Sequence, residues 1–261
     1  MDDGRKLELR SPLVTKINDH IWLMDDHKNA TWYVVAGQEK AMVIDTSVGE
    51  SNVRAEAEKV TDLPLICVNT HGHWDHMGGN WSFDEAYMNL ADLPLAEEGI
   101  QWPQVQEMLH RYGLRYPAFR HIEDGQVFDL GGLTLEAIHF PGHTPGEIVL
   151  LDRRDRLLFS GDGIIVHLWL QLKESLPVRK QIESMEKLLP LRDQFDVILH
   201  GHCQQPADAE LFDTLMDALR ELAAGQTARD VDYEWHGNVS RAHPYQPDDR
   251  RIVYKEDSLK G

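Results

Sequence analysis

Cysteine is scarce in this sequence, because only Cys67 and Cys203 occur among its 261 residues. The two cysteines do not form a C-x-x-C pair, so neither a zinc finger nor a redox dithiol is indicated. We expect two free thiols in a reducing compartment, which predicts a cytoplasmic location. The first residues also lack the apolar segment of a secretory signal, and we therefore expect no export.

Long apolar runs and positive charge are also lacking. The most apolar stretch, residues 163–172, is too short to cross a bilayer, so we expect no membrane partner. Lys and Arg number 26 against 44 Asp and Glu, which gives a formal charge of −18. An acidic surface repels phosphate backbones, so we expect a small-molecule substrate and no nucleic acid.

Several catalytic motifs are missing from the chain. It contains no P-loop, no G-x-G-x-x-G, no H-E-x-x-H and no G-x-S-x-G. These absences argue against nucleotide-dependent enzymes, gluzincin-type peptidases and serine hydrolases of the α/β type.

Short apolar segments alternate with polar breaks along the chain, and a helical segment separates two of them. Residues 40–45 and 65–69 have the pattern of buried strands, and the Ala- and Glu-rich segment 50–61 between them is predicted to be a helix. A strand, a helix and a strand in this order predict a parallel crossover. Ligands commonly lie at the carboxyl ends of such strands.

The densest signal is the segment THGHWDHMGG at residues 70–79, directly after one predicted strand. His71 and His73 are two residues apart, so both side chains point to the same side of an extended backbone and can bind one metal. Asp75 and His76 follow where a helix is expected to begin, and they can turn towards a second metal. Imidazole and carboxylate ligands suit zinc, and also iron or manganese.

Further candidate ligands follow other predicted strands. His143 lies in the loop PGHTPG, Asp162 lies in the segment SGDG, and His202 lies in the segment HGH. Each of them alone is a weak signal. Together they repeat one arrangement, in which a metal-binding side chain stands where an apolar strand ends.

The order H-x-H-x-D-H, P-G-H, G-D and G-H over residues 13–224 resembles the metallo-β-lactamase superfamily, with the ligand set of its glyoxalase II and lactonase branches. The resemblance implies an α/β fold, a four-layer αββα sandwich, which we assign to residues 1–225. It also implies two metal sites joined by a carboxylate, with His71, His73 and His143 at the first metal, Asp75, His76 and His202 at the second, and Asp162 bridging them.

Such a site predicts a hydrolase with two divalent metal ions, preferably zinc. Two metals about 3.5–4 Å apart can share a hydroxide that attacks a small ester-like substrate, a lactone, thioester or ester. The resemblance gives Asp75 a catalytic role in orienting this hydroxide or taking its proton. Alternatives are a mononuclear iron oxidoreductase of the persulfide dioxygenase type, a β-lactam or phosphodiester hydrolase, and a metal-binding sensor without catalysis.

Two segments outside the ligand set carry further expectations. From His167 onward the residues alternate, with His167 and Trp169 on one face of a strand, and we expect these two side chains to line a substrate pocket. A role as a core strand or dimer contact is the competing interpretation. The aromatic tail, residues 226–261, is expected to pack on the domain or on a partner subunit, which leaves a homodimer open.

Overall fold

The computed structural model describes residues 9–247 and 249–259. The strands in these ranges are, in chain order, β1 Leu13–Lys16, β2 Ile21–Asp25, β3 Thr31–Ala36, β4 Ala41–Ile44, β5 Leu65–Val68, β6 Glu85–Met88, β7 Ala118–His121, β8 Val127–Asp129, β9 Thr134–His139, β10 Ile148–Asp152, β11 Leu157–Gly161, β12 His167–Leu170, β13 Val197–His200, β14 Ala207–Asp208, β15 Val231–Trp235, β16 Asn238–Tyr245 and β17 Arg250–Tyr254. The α-helices in the same ranges are α1 Val53–Ala57, α2 Trp74–Met77, α3 Leu93–Ile100, α4 Pro103–Tyr112, α5 Val178–Leu188 and α6 Glu210–Ala223.

Two sheets form the centre of the fold. The first sheet holds β1 to β7 in sequential order, antiparallel from β1 to β4 and parallel from β4 to β7. The second sheet has the order β14-β13-β11-β10-β9-β8, with β11 and β13 parallel and the other neighbours antiparallel. β4 runs parallel to β5, and β11 runs parallel to β13. The carboxyl ends of these strands therefore lie at one edge of the sandwich.

The buried side chains define four layers. Inward-facing residues of both sheets share one apolar cluster, in which Tyr33 and Phe159 meet edge to face with ring centroids 5.2 Å apart. The outer face of the first sheet packs on α1 through Val53 and Ala57. The outer face of the second sheet packs on α5 and α6. The predicted αββα sandwich is therefore confirmed.

A third sheet has the order β12-β17-β16-β15 and combines β12 with three strands from the tail. β17 pairs in parallel with β12, so the tail packs on its own chain. Leu168 and Leu170 of β12 are buried in the cluster with α5 and α6, whereas His167 and Trp169 are half-buried. The expected alternation along β12 is present. The domain boundary at residue 225 stays a prediction.

The element boundaries differ from expectation in two places. β6 and β7 lie in segments with no predicted strand, because each has four residues and no β-branched side chain. The predicted helix 50–61 is only Val53–Ala57, since Asn52 caps its start by accepting a bond from the amide of Ala55.

The two cysteines are buried and unlinked, as expected. Burial raises the pKa of both thiols, so neither is a ready nucleophile at neutral pH. Within the described ranges, none of the helices has the length and apolar character needed to span a bilayer.

Candidate metal centre

The predicted ligands converge at one edge of the sandwich. His71 and His73 follow β5, Asp162 follows β11, and His202 follows β13, while His143 lies in the loop between β9 and β10. α2 begins directly after His73, and its first turn brings two further ligands beside them. Three groups of side chains have ligand atoms within 4.8 Å of one another: His71 with His73 and His143, His71 with His76 and Asp162, and Asp75 with His76 and His202.

The first group is a triangle of imidazole nitrogens. Nε2 of His71 lies 3.0 Å from Nδ1 of His73, and Nε2 of His143 also lies 3.0 Å from that atom. Nitrogens bound to one tetrahedral zinc at about 2.0–2.1 Å would stand about 3.3 Å apart. The spacing therefore suits a single small cation at the centre of the triangle.

The opposite ring nitrogen of each histidine meets an oxygen acceptor. His71 Nδ1 lies 3.0 Å from Thr70 Oγ1, whose own proton goes to Asp45. The other two contacts are His143 Nδ1 to the Trp169 carbonyl at 2.7 Å and His73 Nε2 to Glu174 Oε1 at 2.6 Å. Each histidine thus donates its N–H outward and turns a lone pair inward.

Three lone pairs facing one another, with two of the separations at 3.0 Å, repel unless a cation lies between them. Burial, reinforced by neighbouring imidazoles, lowers the pKa of His71 well below its ordinary value and that of His143 to about 4. Both rings are therefore neutral at physiological pH, the form that binds metal. The residues present fit a metal ion at this position.

The second group combines imidazoles with carboxylates. Asp162 lies between the two halves of the site, with Oδ2 3.2 Å from His202 Nε2 and 3.8 Å from His143 Nε2, and Oδ1 3.6 Å from His76 Nε2. Asp75 Oδ2 lies 3.5 Å from His202 Nε2. Asp162 thus faces both groups, as a bridging ligand must.

Electrostatics favour a second cation here. Burial alone would lower the pKa of His76, but Asp162 and Asp75 outweigh it and raise that pKa well above the ordinary value. Nε2 of His76 and Oδ1 of Asp162 are buried without a hydrogen-bond partner. Carboxylates that stabilise positive charge and polar atoms that have no partner both suit a divalent ion at this position.

Gly201 allows the backbone after β13 to approach the ligands. A Cβ at this position would lie 2.3 Å from Cε1 of His76 and 2.5 Å from Oδ1 of Asp162. Any larger residue would displace His76 and Asp162. The glycine between His200 and His202 is therefore part of the metal centre.

Sequence reasoning missed Asp45, which contacts His76 directly and His71 through Thr70. It follows β4 with a φ of 62° and accepts bonds from the Thr70 amide at 2.7 Å, the Thr70 hydroxyl at 2.8 Å and His76 Nδ1 at 2.9 Å. Asp45 thereby orients His76 directly and His71 through Thr70. The available signal was an aspartate where a buried strand ends, the same placement as the predicted ligands.

The metal centre opens into a cavity of about 710 Å³. Asp75, His143, Asp162 and His202 line its floor. Its walls are mostly apolar and contain the indoles Trp74, Trp102, Trp169 and Trp235. His167 and Trp169 both line it, at the position that the alternation along β12 gives them. A cavity of this size accommodates an organic substrate many atoms long.

Known proteins share this fold and motif order. The sequence profile of the Metallo-beta-lactamase superfamily matches residues 26–202. The solved metallo-beta-lactamase from Pontibacter korlensis superposes with a TM-score of 0.62 at 20% identity, covering 80% of this chain and 99% of that one. The chain belongs to the metallo-β-lactamase superfamily, and it is a metal-dependent hydrolase of that fold.

Two curated relatives are similar over most of their length. The acyl-coenzyme A thioesterase MBLAC2 of Bos taurus is 29% identical over 206 residues, which cover 66% of this chain and 72% of the relative. The hydroxyacylglutathione hydrolase GloC of Haemophilus influenzae is 28% identical over 193 residues, which cover 70% of this chain and 82% of the relative. Both names describe thioester hydrolysis.

Proposed function

We propose that this enzyme hydrolyses acyl thioesters with two divalent metal ions, preferably zinc, in the centre described above. The observation that carries the proposal is the position of the ligand cluster at the floor of an apolar cavity, which presents a scissile carbonyl to the metals and holds the acyl group above. The names of both curated relatives support the thioester over the lactone and the simple ester.

When bound, two divalent ions supply positive charge that lowers the pKa of water and polarises the substrate carbonyl. The side chain of Asp75 is 39% exposed and lines the cavity floor, where it can accept a proton from the attacking water. Asp45 and Glu174 hold the histidine rings in the required tautomers. The apolar walls bind the acyl group and exclude bulk water.

The complete second ligand group favours this function over a mononuclear iron oxidoreductase. Asp75, His76 and His202 have ligand atoms within 4.8 Å of one another, in addition to the three histidines of the first group. A mononuclear enzyme has no use for the second group. Asp162, placed between the two groups, likewise supports a pair of metals.

The experiment combines metal analysis with a substrate panel. Protein reconstituted with zinc is expected to hold two ions per chain and to cleave acyl thioesters faster than lactones, β-lactams or phosphodiesters. One iron per chain with oxygen uptake would overturn the assignment in favour of the oxidoreductase. Two metals without hydrolysis of any of these substrates would leave a metal-binding sensor instead.

The cysteines and the net charge indicate the cellular location and the class of substrate. We propose a cytoplasmic enzyme, since both cysteines are unlinked, and a small-molecule substrate, since the formal charge of −18 opposes nucleic acid. Fractionation of cells that express the tagged full chain tests the location.

A further inference from the structure

The third sheet has two faces with different roles. Cross-strand partners share a face, and Leu168 of β12 is level with Ile252 of β17, which is level with His243 of β16. This face packs on α6, where His243 Nε2 lies 3.3 Å from Glu221 Oε2. The opposite face, which carries Trp169, is therefore turned away from α6.

Rings from the two edge strands meet over this second face. β12 and β15 are separated by two strands, which in a flat sheet would place them about 14 Å apart. Nevertheless the ring centroid of Trp169 lies 4.8 Å from that of Trp235, and His167 lies 5.5 Å from Tyr233. We refer to these four side chains, His167, Trp169, Tyr233 and Trp235, as the aromatic cluster.

Small side chains in the middle strands allow this approach. Trp169 is level with Val253, Val253 is level with Ala242, and Ser240 is level with Tyr233. Val253, Ala242 and Ser240 are buried although they lie on the face turned away from α6. Large residues at these central positions would keep the aromatic rings of the two edges apart.

The aromatic cluster faces a second wall across the cavity. Trp74 and Trp102 form that wall from α2 and the start of α4, with ring centroids 6.0 Å apart, and Leu95 of α3 lies beside them. All four indoles line one cavity of about 710 Å³ above the metal ligands. Aromatic side chains bury about 150–250 Å² each, so two such walls bind apolar groups strongly.

We propose that the hairpin β15–β16 is the specificity element for the acyl group, with Trp235 closing the wall against which a long alkyl or aryl acyl chain packs. This inference rests on the proposed thioester hydrolysis. The substrate class is a thioester with a bulky apolar acyl group, as opposed to a small polar hydroxyacyl group. The four indoles make the lining of this cavity mostly apolar, which favours an apolar acyl chain over a hydroxyacyl group.

Acyl thioesters of N-acetylcysteamine test the proposal, because their leaving thiol is small, uncharged and constant. Each methylene group buried against the wall increases the binding affinity about fourfold. The wild type is expected to prefer the octanoyl over the acetyl thioester by at least 100-fold in kcat/KM. Trp235→Ala is expected to reduce this preference at least tenfold, and Trp235→Phe to restore most of it.

Val239→Ala is the matched control, since Val239 lies on the same hairpin, is 72% exposed and does not line the cavity. This variant should keep the wild-type preference. Equal preferences in Trp235→Ala, Val239→Ala and the wild type would overturn the role of the hairpin while leaving the hydrolase in place. Circular dichroism of both variants shows whether the hairpin remains folded. If the wild type with a full metal complement cleaves no thioester, the proposed function itself fails.

Discussion

Nδ1 of His143 donates a hydrogen bond of 2.7 Å to the main-chain carbonyl of Trp169. Trp169 therefore contacts the candidate site in two ways, because its carbonyl holds the candidate ligand His143 while its indole lines the cavity. The two roles use different atoms, so a side-chain substitution separates them. β12, which carries Trp169, thus joins the metal centre to the cavity wall.

Trp169→Ala is expected to retain the metals and to lose substrate affinity. The main-chain bond to His143 survives the substitution, whereas the apolar wall loses a large side chain. We expect KM for an apolar acyl thioester to rise about tenfold or more. Trp22→Ala, in the outer cluster of the first sheet, is the control for general destabilisation. Unchanged kinetics in a folded Trp169→Ala protein would discard the substrate-binding role.

Glu174→Gln is expected to weaken metal binding without unfolding the chain. Glu174 holds Nε2 of His73 at 2.6 Å, and a neutral amide orients that ring less strongly. We expect metal affinity, measured by chelator competition, to fall about 10–100-fold. Glu98→Gln removes an acidic group from the cavity mouth, where Glu98 pairs with Lys173, and should leave the affinity as it is. Similar effects of both substitutions would point to surface charge instead of ring orientation.

Asp162→Asn is expected to impair both metal positions at once. Burial alone would raise the pKa of Asp162, but His202 and His76 outweigh it and hold that pKa well below its ordinary value, so the carboxylate is ionised. Removing its charge should lower kcat by about 100-fold or more and reduce the bound metal. Turnover and elemental analysis are measured on the same sample. Near-normal turnover with full metal content would contradict the bridging role.

Two buried histidines are expected to contribute less stability to the metal-free protein as the pH falls. Burial lowers the pKa of His143 and of His200 to about 4, against about 6.5 in an unfolded chain. Between these values the unfolded state binds more protons, so stability falls as the pH drops from about 6.5 to 4. Each group contributes up to about 1.4 kcal/mol per pH unit. Urea midpoints of chelator-treated protein at pH 7.5, 6 and 5 measure the slope.

His200→Asn isolates one part of this slope. An amide oxygen can replace Nδ1 of His200, which accepts a bond from the amide of His202 at 3.3 Å, but it does not titrate. The dependence of the urea midpoint on pH should become shallower in this variant. It should stay the same in His121→Asn, where the histidine is exposed. A slope that His200→Asn leaves unaltered would remove His200 from the explanation.

The candidate ligands, which the structure brings together, could be selected from the sequence because they follow short, strongly apolar strands in a specific order. His71 to His76 form one local motif, and the remaining candidates repeat its placement at a strand end. The alternation of His167 and Trp169 was also readable, since a strand with one buried face has period two. Local pattern and family resemblance together were sufficient for the sandwich and for the convergence of most candidate site residues.

The parts that could not be predicted depend on contacts between distant segments. Asp45 resembles the last residue of a strand until Thr70 and His76 are placed beside it. Trp235 enters the cavity only because β17 pairs with β12 and small side chains let the sheet edges approach. Strand register over such separations leaves no local signal in one sequence.

The distribution of ligands over both sheets has a consequence for how the enzyme matures. His71 follows β5 of the first sheet and His202 follows β13 of the second, so neither sheet alone carries the whole ligand set. Contacts this distant in sequence slow folding, because long loops must close before they form. With the proposed ligand set, a chain leaving the ribosome can bind both metals only after His202 has emerged and the two sheets have met. Chains that hold the full complement of metal in the cell are therefore completely synthesised and folded. Bound metal stabilises these folded chains relative to incomplete ones.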